Sequence, residues 1–295
     1  MKHILKTCTI ALVLLATVSC KKEQNQTEEN AAANDTIAKT ETQRIISLNG
    51  ALTEMVSALG HQNEIVGVDV TSTYPEGVKE SATDLGHVRS ISIESIIALQ
   101  PTIVLATRDD ISPELAEKIE LSGITTRIFD REFSANGTKK TIDAVAEILE
   151  SDKGKELKDK IDADLAKVTP LKVTPKILFI YARGAGTLMV SGKNTPVDKV
   201  IALAGATNAI EDFDDYKPLT PEALIKGNPD VILMFDTGIE SLGGVDGVLK
   251  IQGIDKTNAG KNKNVIAMDG ALLSGFGPRL GEAAAQLNSK LAENK

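Results

Sequence analysis

The 295-residue chain holds few of the histidines and cysteines on which triad and zinc chemistry usually depend. Its histidines are His3, His61 and His87, its cysteines are Cys8 and Cys20, and it contains neither a G-x-S-x-G nucleophile turn nor an H-E-x-x-H helix. Triad, general-base and zinc chemistry all need such groups converging, which makes a secreted hydrolase a remote reading. The glycine clusters RGAG (183–186) and GFGPRLG (275–281) lack the G-x-G-x-x-G spacing and a Walker lysine, so nucleotide binding is poorly supported. What remains is chemistry of recognition. It comprises three tyrosines (Tyr74, Tyr181 and Tyr216), three arginines in or beside glycine-containing loops (Arg89, Arg183 and Arg279), and the glutamates Glu94 and Glu222. The two glutamates lie in segments that repeat one another at an offset of 128 residues, SISIESIIALQPTIVLA from Ser90 and PLTPEALIKGNPDVILM from Pro218.

The elements that must position these groups follow from the same repeat. In each copy Ser92 or Thr220 is the expected N-cap of a short helix, a proline (Pro101, Pro229) stops it, and a continuous apolar run follows. Such a run fits a parallel strand buried on both faces. Upstream, TEMVSALG (53–60) resembles VDKVIALAG (197–205), both helices closed by glycine, and RIISLNG and EIVGVDV read as strands on either side of the first. Between the halves, 138–170 carries helical periodicity and paired charges with Gly154 as the only expected break. The predicted fold is α/β, with two similar lobes of mainly parallel sheets (43–137 and 171–295) joined by a long, stiff helical connector.

Composition sets the class. With 42% hydrophobic and 25% charged residues the chain is globular, and a net charge of -8 argues against nucleic acid or an anionic membrane surface as partner. Lys2 and Lys6 precede an apolar run from Thr7 to Val18 that is too short to span a bilayer, the pattern of a secretory signal over 1–19. The run ends in Thr17-Val18-Ser19-Cys20, similar to a bacterial lipobox, so Cys20 is the expected lipidated first residue of the exported chain. Removing 1–19 takes two lysines and no acid, which leaves -10 and one cysteine, hence no internal disulfide. Residues 20–42 have almost no apolar side chain larger than alanine and read as a flexible tether.

Several stretches in order now carry a family resemblance over about 43–295: VGVDVTSTYP (66–75), LGHVRSIS (85–92), MVSGKNTPVD (189–198), YKPLTPEAL (216–224), LGGVDG (242–247) and GFGPR (275–279). The chain resembles substrate-binding proteins of bacterial ABC importers, in the group that carries heme, cobalamin and iron-siderophore chelates, and within it the heme-binding members. The resemblance implies two lobes that close modestly on a ligand held in the cleft between them, with no catalytic cofactor and heme as transported cargo. The same fold binding cobalamin or a ferric siderophore is the alternative. Partners implied are a two-subunit permease with its ATPase, met by a monomeric binding protein that touches the membrane only through its lipid.

The resemblance also implies that Tyr74 ligates heme iron, for which a hard anionic phenolate is suited. Arg183 stands where some two-heme relatives carry a histidine ligand; it cannot ligate iron, but is the first candidate to pair with a propionate or with the phenolate. His87 is a candidate cleft-lining residue, and Tyr216 and Tyr181 candidate contacts from the second lobe, the latter also readable as core. Arg89 and Arg279 are candidate carboxylate contacts, Arg279 because GFGPR opens a helix, against the plain reading of solvated surface arginines. His61, at a helix end, is assigned no function. Glu94 and Glu222 suit the helix dipole in any case, but their matching placement on both lobes corresponds to the glutamates that, in this family, engage arginines on the two permease subunits.

Overall fold

Five strands form the first sheet: β1 (Ile45–Ser47), β2 (Ile65–Val68), β3 (Thr83–Asp84), β4 (Ile103–Thr107) and β5 (Thr125–Phe129), in the order β3-β2-β1-β4-β5 and all parallel. The computed structural model describes residues 43–186 and 188–293, so the expected signal, the tether and Cys20 lie outside the described residues. The second sheet holds β6 (Lys176–Ala182), β7 (Leu188–Ser191), β8 (Thr207–Asn208), β9 (Tyr216–Pro218), β10 (Val231–Phe235) and β11 (Val265–Met268). Its order is β11-β10-β6-β7-β9 with β8 on β6; β7 and β9 pair antiparallel, which makes this sheet mixed.

The repeated segments fold as their sequences require. The Ser92 and Thr220 hydroxyls accept the N–H of Ser95 and Ala223 and start helices Ile93–Ala98 and Pro221–Gly227, and the strands that follow are β4 and β10. Alternate residues of these strands serve opposite cores. Val231 and Leu233 join one apolar cluster and Ile232 and Met234 another, as Ile103 and Leu105 do opposite Val104 and Ala106 in the first lobe. Burial on both faces is why neither run alternates with polar residues.

The helical connector is built as two helices, Ala135–Ile148 and Gly154–Leu165, the second beginning at the expected glycine. The first starts at Ala135, earlier than residue 138, because the Ser134 hydroxyl accepts the Gly137 N–H at 2.9 Å. Both helices bury Ile142, Val145, Leu157 and Ile161 in one cluster with Leu52, Met55 and Leu59 of the first lobe. The C-terminal helix Leu280–Glu293, which packs in the core of the second lobe, crosses this pair at Gly281. A Cβ there would lie 2.5 Å from the Ile161 carbonyl oxygen, so only glycine allows so close an approach. All of these elements belong to one compact unit, and no described helix is long and apolar enough to cross a membrane.

Candidate ligand-binding cleft

In parallel α/β layers the crevice lies beyond the C-terminal ends of the strands. There the first lobe delivers Asn49 after β1, Thr71 and Thr73 after β2, Asp110 after β4 and Arg131 after β5, and the second lobe delivers Phe235 at the end of β10. Two cavities open between the lobes and share Arg131, Phe235 and Ser274. One, of about 310 Å³, is the more polar of the two, with Asn49, Glu54, Thr71, Thr73 and Asp110 in its wall. The other, of about 430 Å³, is lined by Tyr181, Met189, Pro196 and Tyr216. Phe235 meets Tyr181 edge-on at 6.1 Å, and Phe179 contacts both Phe235 (4.8 Å) and Tyr216 (6.5 Å), which fixes an aromatic wall. Partial burial pushes the Tyr216 phenol above its ordinary range, so it stays a neutral hydroxyl at neutral pH.

Tyr74 stands at the rim, 43% exposed, on a loop whose stem is tied. The buried Asp69 carboxylate accepts the Thr71 N–H (2.9 Å), the Thr71 hydroxyl (2.6 Å) and the Ser72 hydroxyl (2.7 Å). Ser72 also bonds Thr53 of helix Gly50–Val56, and the Gly50 N–H donates to Thr71. Over the Tyr74 ring lies the Arg279 guanidinium, its carbon 3.6 Å from the centroid, a cation–π stack. Arg279 in turn makes a bidentate pair with Glu54, at 2.5 and 3.0 Å. Burial pushes the Glu54 carboxyl up against the pull of Arg279. The pair, 16% and 6% exposed, bridges the lobes from the start of the C-terminal helix to helix Gly50–Val56.

Arg279→Ala is therefore expected to leave a buried, unpaired carboxylate and to cost about 3–5 kcal/mol, read as a lower midpoint in urea unfolding. Replacing both partners, Glu54→Leu with Arg279→Met, should recover most of that loss. An Arg279→Ala protein as stable as the parent would show that the pair does not hold the lobes.

Of the expected site residues, Tyr181 and Tyr216 line the apolar cavity; Tyr74 and Arg279 line neither cavity themselves, but Tyr74 follows Thr73 of the polar wall and Arg279 stacks on its ring. Arg279, not Arg183, lies against the Tyr74 ring, and Arg279 is no solvated arginine, being already paired with Glu54. Arg183 is exposed in the turn beyond β6, where the Gly184 N–H is tied to the Ser241 hydroxyl, and it lines neither cavity. His87 and Arg89 are also exposed and outside both cavities; the His87 Nδ1 accepts the Arg89 N–H and caps the turn Val88–Ser90. Tyr181, readable as core, faces the apolar cavity from β6. Glu94 and Glu222 are exposed in the first turns of their helices.

Two cleft residues escape a reading of the sequence, Arg131 and Phe235. Arg131 sits where the cavities meet, donates to the Gly275 carbonyl oxygen at 3.3 Å and lies 4.7 Å from the Phe133 ring centre. Burial pushes its guanidinium down from the ordinary arginine value, and no carboxylate forms an ion pair with it among the described residues. A ligand carboxylate would relieve that burial cost. The same residues make no metal site of three or more His, Cys, Asp or Glu among the described residues.

Two mixed or parallel sheets, a connector of helices and a cleft lined from strand ends define a periplasmic binding protein, and the chain belongs to that family, which it matches over residues 45–272. The periplasmic heme-binding protein RhuT from Roseiflexus sp. RS-1, in its apo form, is 37% identical, with a TM-score of 0.82 over 86% of this chain and 99% of that one. The periplasmic heme-binding protein BhuT in complex with two hemes is 34% identical, with a TM-score of 0.81 over 85% and 98%. An uncharacterized ABC transporter substrate-binding lipoprotein, YvrC, of Bacillus subtilis strain 168 is 29% identical over 88% of this chain and 83% of its own length. The family is one of binding proteins, not enzymes.

Proposed function

We propose that this protein captures ferric heme between its lobes, with the Tyr74 oxygen on iron, and hands it to a two-subunit ABC permease driven by its ATPase. The observation that carries the reading is Tyr74 at the cleft rim with the Arg279 cation stacked on its ring. That cation compensates the negative charge which ligation places on the phenol oxygen. The apolar cavity offers an aromatic wall to a flat macrocycle, and Arg131, without an ion-pair partner among the described residues, is the cavity cation for a propionate. Arg279, already bound by Glu54, serves the tyrosine rather than the propionates. The likeness to heme-binding RhuT and BhuT supports heme over cobalamin or a siderophore. Export, with 1–19 as leader, 20–42 as tether and Cys20 as lipid anchor, is supported by the lipoprotein YvrC. Docking is assigned to Glu94 and Glu222.

Titration of the mature chain, unlipidated through Cys20→Ser, with hemin tests the ligand. A saturable endpoint at one equivalent with a high-spin tyrosinate spectrum is expected. Two equivalents would mean stacked hemes, and no saturable Soret change, with cobalamin or a ferric siderophore bound instead, would overturn the reading.

A further inference from the structure

The cleft accounts for the tyrosines and buried arginines but leaves the outer faces of the two repeated helices unexplained. In helix Ile93–Ala98, Ile96 is fully buried while Ile97 is 48% exposed; in helix Pro221–Gly227, Leu224 is fully buried while Ile225 is 49% exposed. Ile97 and Ile225 hold the same place in the 128-residue repeat, each three residues after its glutamate. That spacing puts each isoleucine on the helix face of its own glutamate, Glu94 or Glu222. A single exposed apolar side chain is ordinary. Two at matching positions of two lobes are a repeated feature. Helix propensity does not call for them, since a β-branched residue at an exposed helical site is a poorer choice than Ala, Lys or Glu. Nor does the core, which Ile96 and Leu224 already anchor.

Neither glutamate forms an ion pair among the described residues. Lys118, the cation nearest Glu94, bonds Glu114 at 2.7 Å, and Lys226, four residues after Glu222, bonds Asp212. Each helix leads through a short loop into a parallel strand and runs back along it, so the first turns of both helices lie at the strand edge that forms the cleft.

We propose that Glu94 with Ile97, and Glu222 with Ile225, form two equivalent docking contacts that seat together on a two-fold permease, each subunit presenting a cation beside an apolar socket. This rests on the permease-docking reading above and adds the residues that hold the complex. The carboxylates set orientation and encounter rate; burial of the isoleucines slows dissociation. Duplication of the pair on both lobes argues for a two-fold partner, since a partner with one binding surface would use only one of them.

The test uses the cognate permease–ATPase complex in nanodiscs and the full mature protein loaded with hemin, read as ATPase stimulation and dissociation rate. Ile97→Ser with Ile225→Ser should raise the half-saturating concentration about tenfold or more, mainly through faster dissociation, with each single change giving a similar share. Hemin affinity should stay unchanged, as neither residue lines a cavity, and Ile97→Val with Ile225→Val should retain most of the docking. Glu94→Gln with Glu222→Gln should instead slow association and flatten its salt dependence. Unchanged docking in the serine variant, with the glutamine variant impaired, would overturn the isoleucine contacts and leave the docking reading standing. No effect of either variant would remove the docking reading itself. An effect confined to one isoleucine would overturn the paired arrangement, and loss of self-association with intact ATPase stimulation would give the face to a second copy of this chain.

Discussion

Tyr74→Ala is expected to weaken ferric heme binding by at least about a hundredfold and to abolish the high-spin tyrosinate spectrum, with far-UV circular dichroism unchanged. The fold should not notice the change. The loop is held by Asp69, Thr71 and Ser72, whose bonds run to one another and to Thr53 and Gly50, and none uses the tyrosine side chain. Arg279 keeps Glu54 as its partner. Tyr74→Phe sharpens the result because it preserves the ring under the guanidinium and removes only the oxygen. Phenylalanine should therefore behave nearly as alanine does in the spectrum. Tight binding retained by Tyr74→Phe would take the phenol oxygen off the iron and leave Tyr74 as a packing contact.

What the sequence made legible was local or repeated. The caps at Ser92 and Thr220, the doubly buried strands β4 and β10 and the break at Gly154 each depend on residues within a few positions, and the 128-residue repeat tied the lobes together. What it hid depended on contacts across the chain. Arg279 reads as a helix-opening arginine until Glu54, 225 residues away, accepts from its Nε and Nη2. Arg131 is one charge among several in RIFDREF, and becomes a cleft cation only because the loop 275–279 closes over it. A signal was present in its place, just past the end of a parallel strand, where crevice residues come from. His87 misled for the opposite reason. A histidine after a glycine in a loop of the first lobe invites a cleft-lining role, but it lines neither cavity, and its Nδ1 accepts the N–H two residues along.

The walls of the cleft are divided between the lobes. The first supplies the tyrosine and the polar wall, the second most of the aromatic wall, and Arg131 lies at the seam where both cavities meet. The Glu54–Arg279 pair and the Arg131 bond to Gly275 cross that seam beside the Tyr74 ring. A ligand that engaged Tyr74 and Arg131 together would touch both of these contacts.

Reversing both of those charges, Glu94→Lys with Glu222→Lys, is expected to abolish stimulation of the permease ATPase while hemin affinity stays at the parental value. The two effects separate because both carboxylates are exposed on the outer helices and neither lines a cleft cavity. Glu94 is well suited to the task. Its own backbone N–H, and then the Ser92 hydroxyl, hold its carboxyl below the usual range, so it stays charged as the medium acidifies. Juxtaposing a lysine with a permease cation turns attraction into a repulsion of several kcal/mol, enough to prevent docking at ordinary concentrations. One reversal alone should leave a weakened complex, since the other lobe keeps its contact, and the defect should shrink as salt screens the repulsion. An unaltered ATPase response in the double variant, at low salt and with hemin bound, would remove both glutamates from the contact.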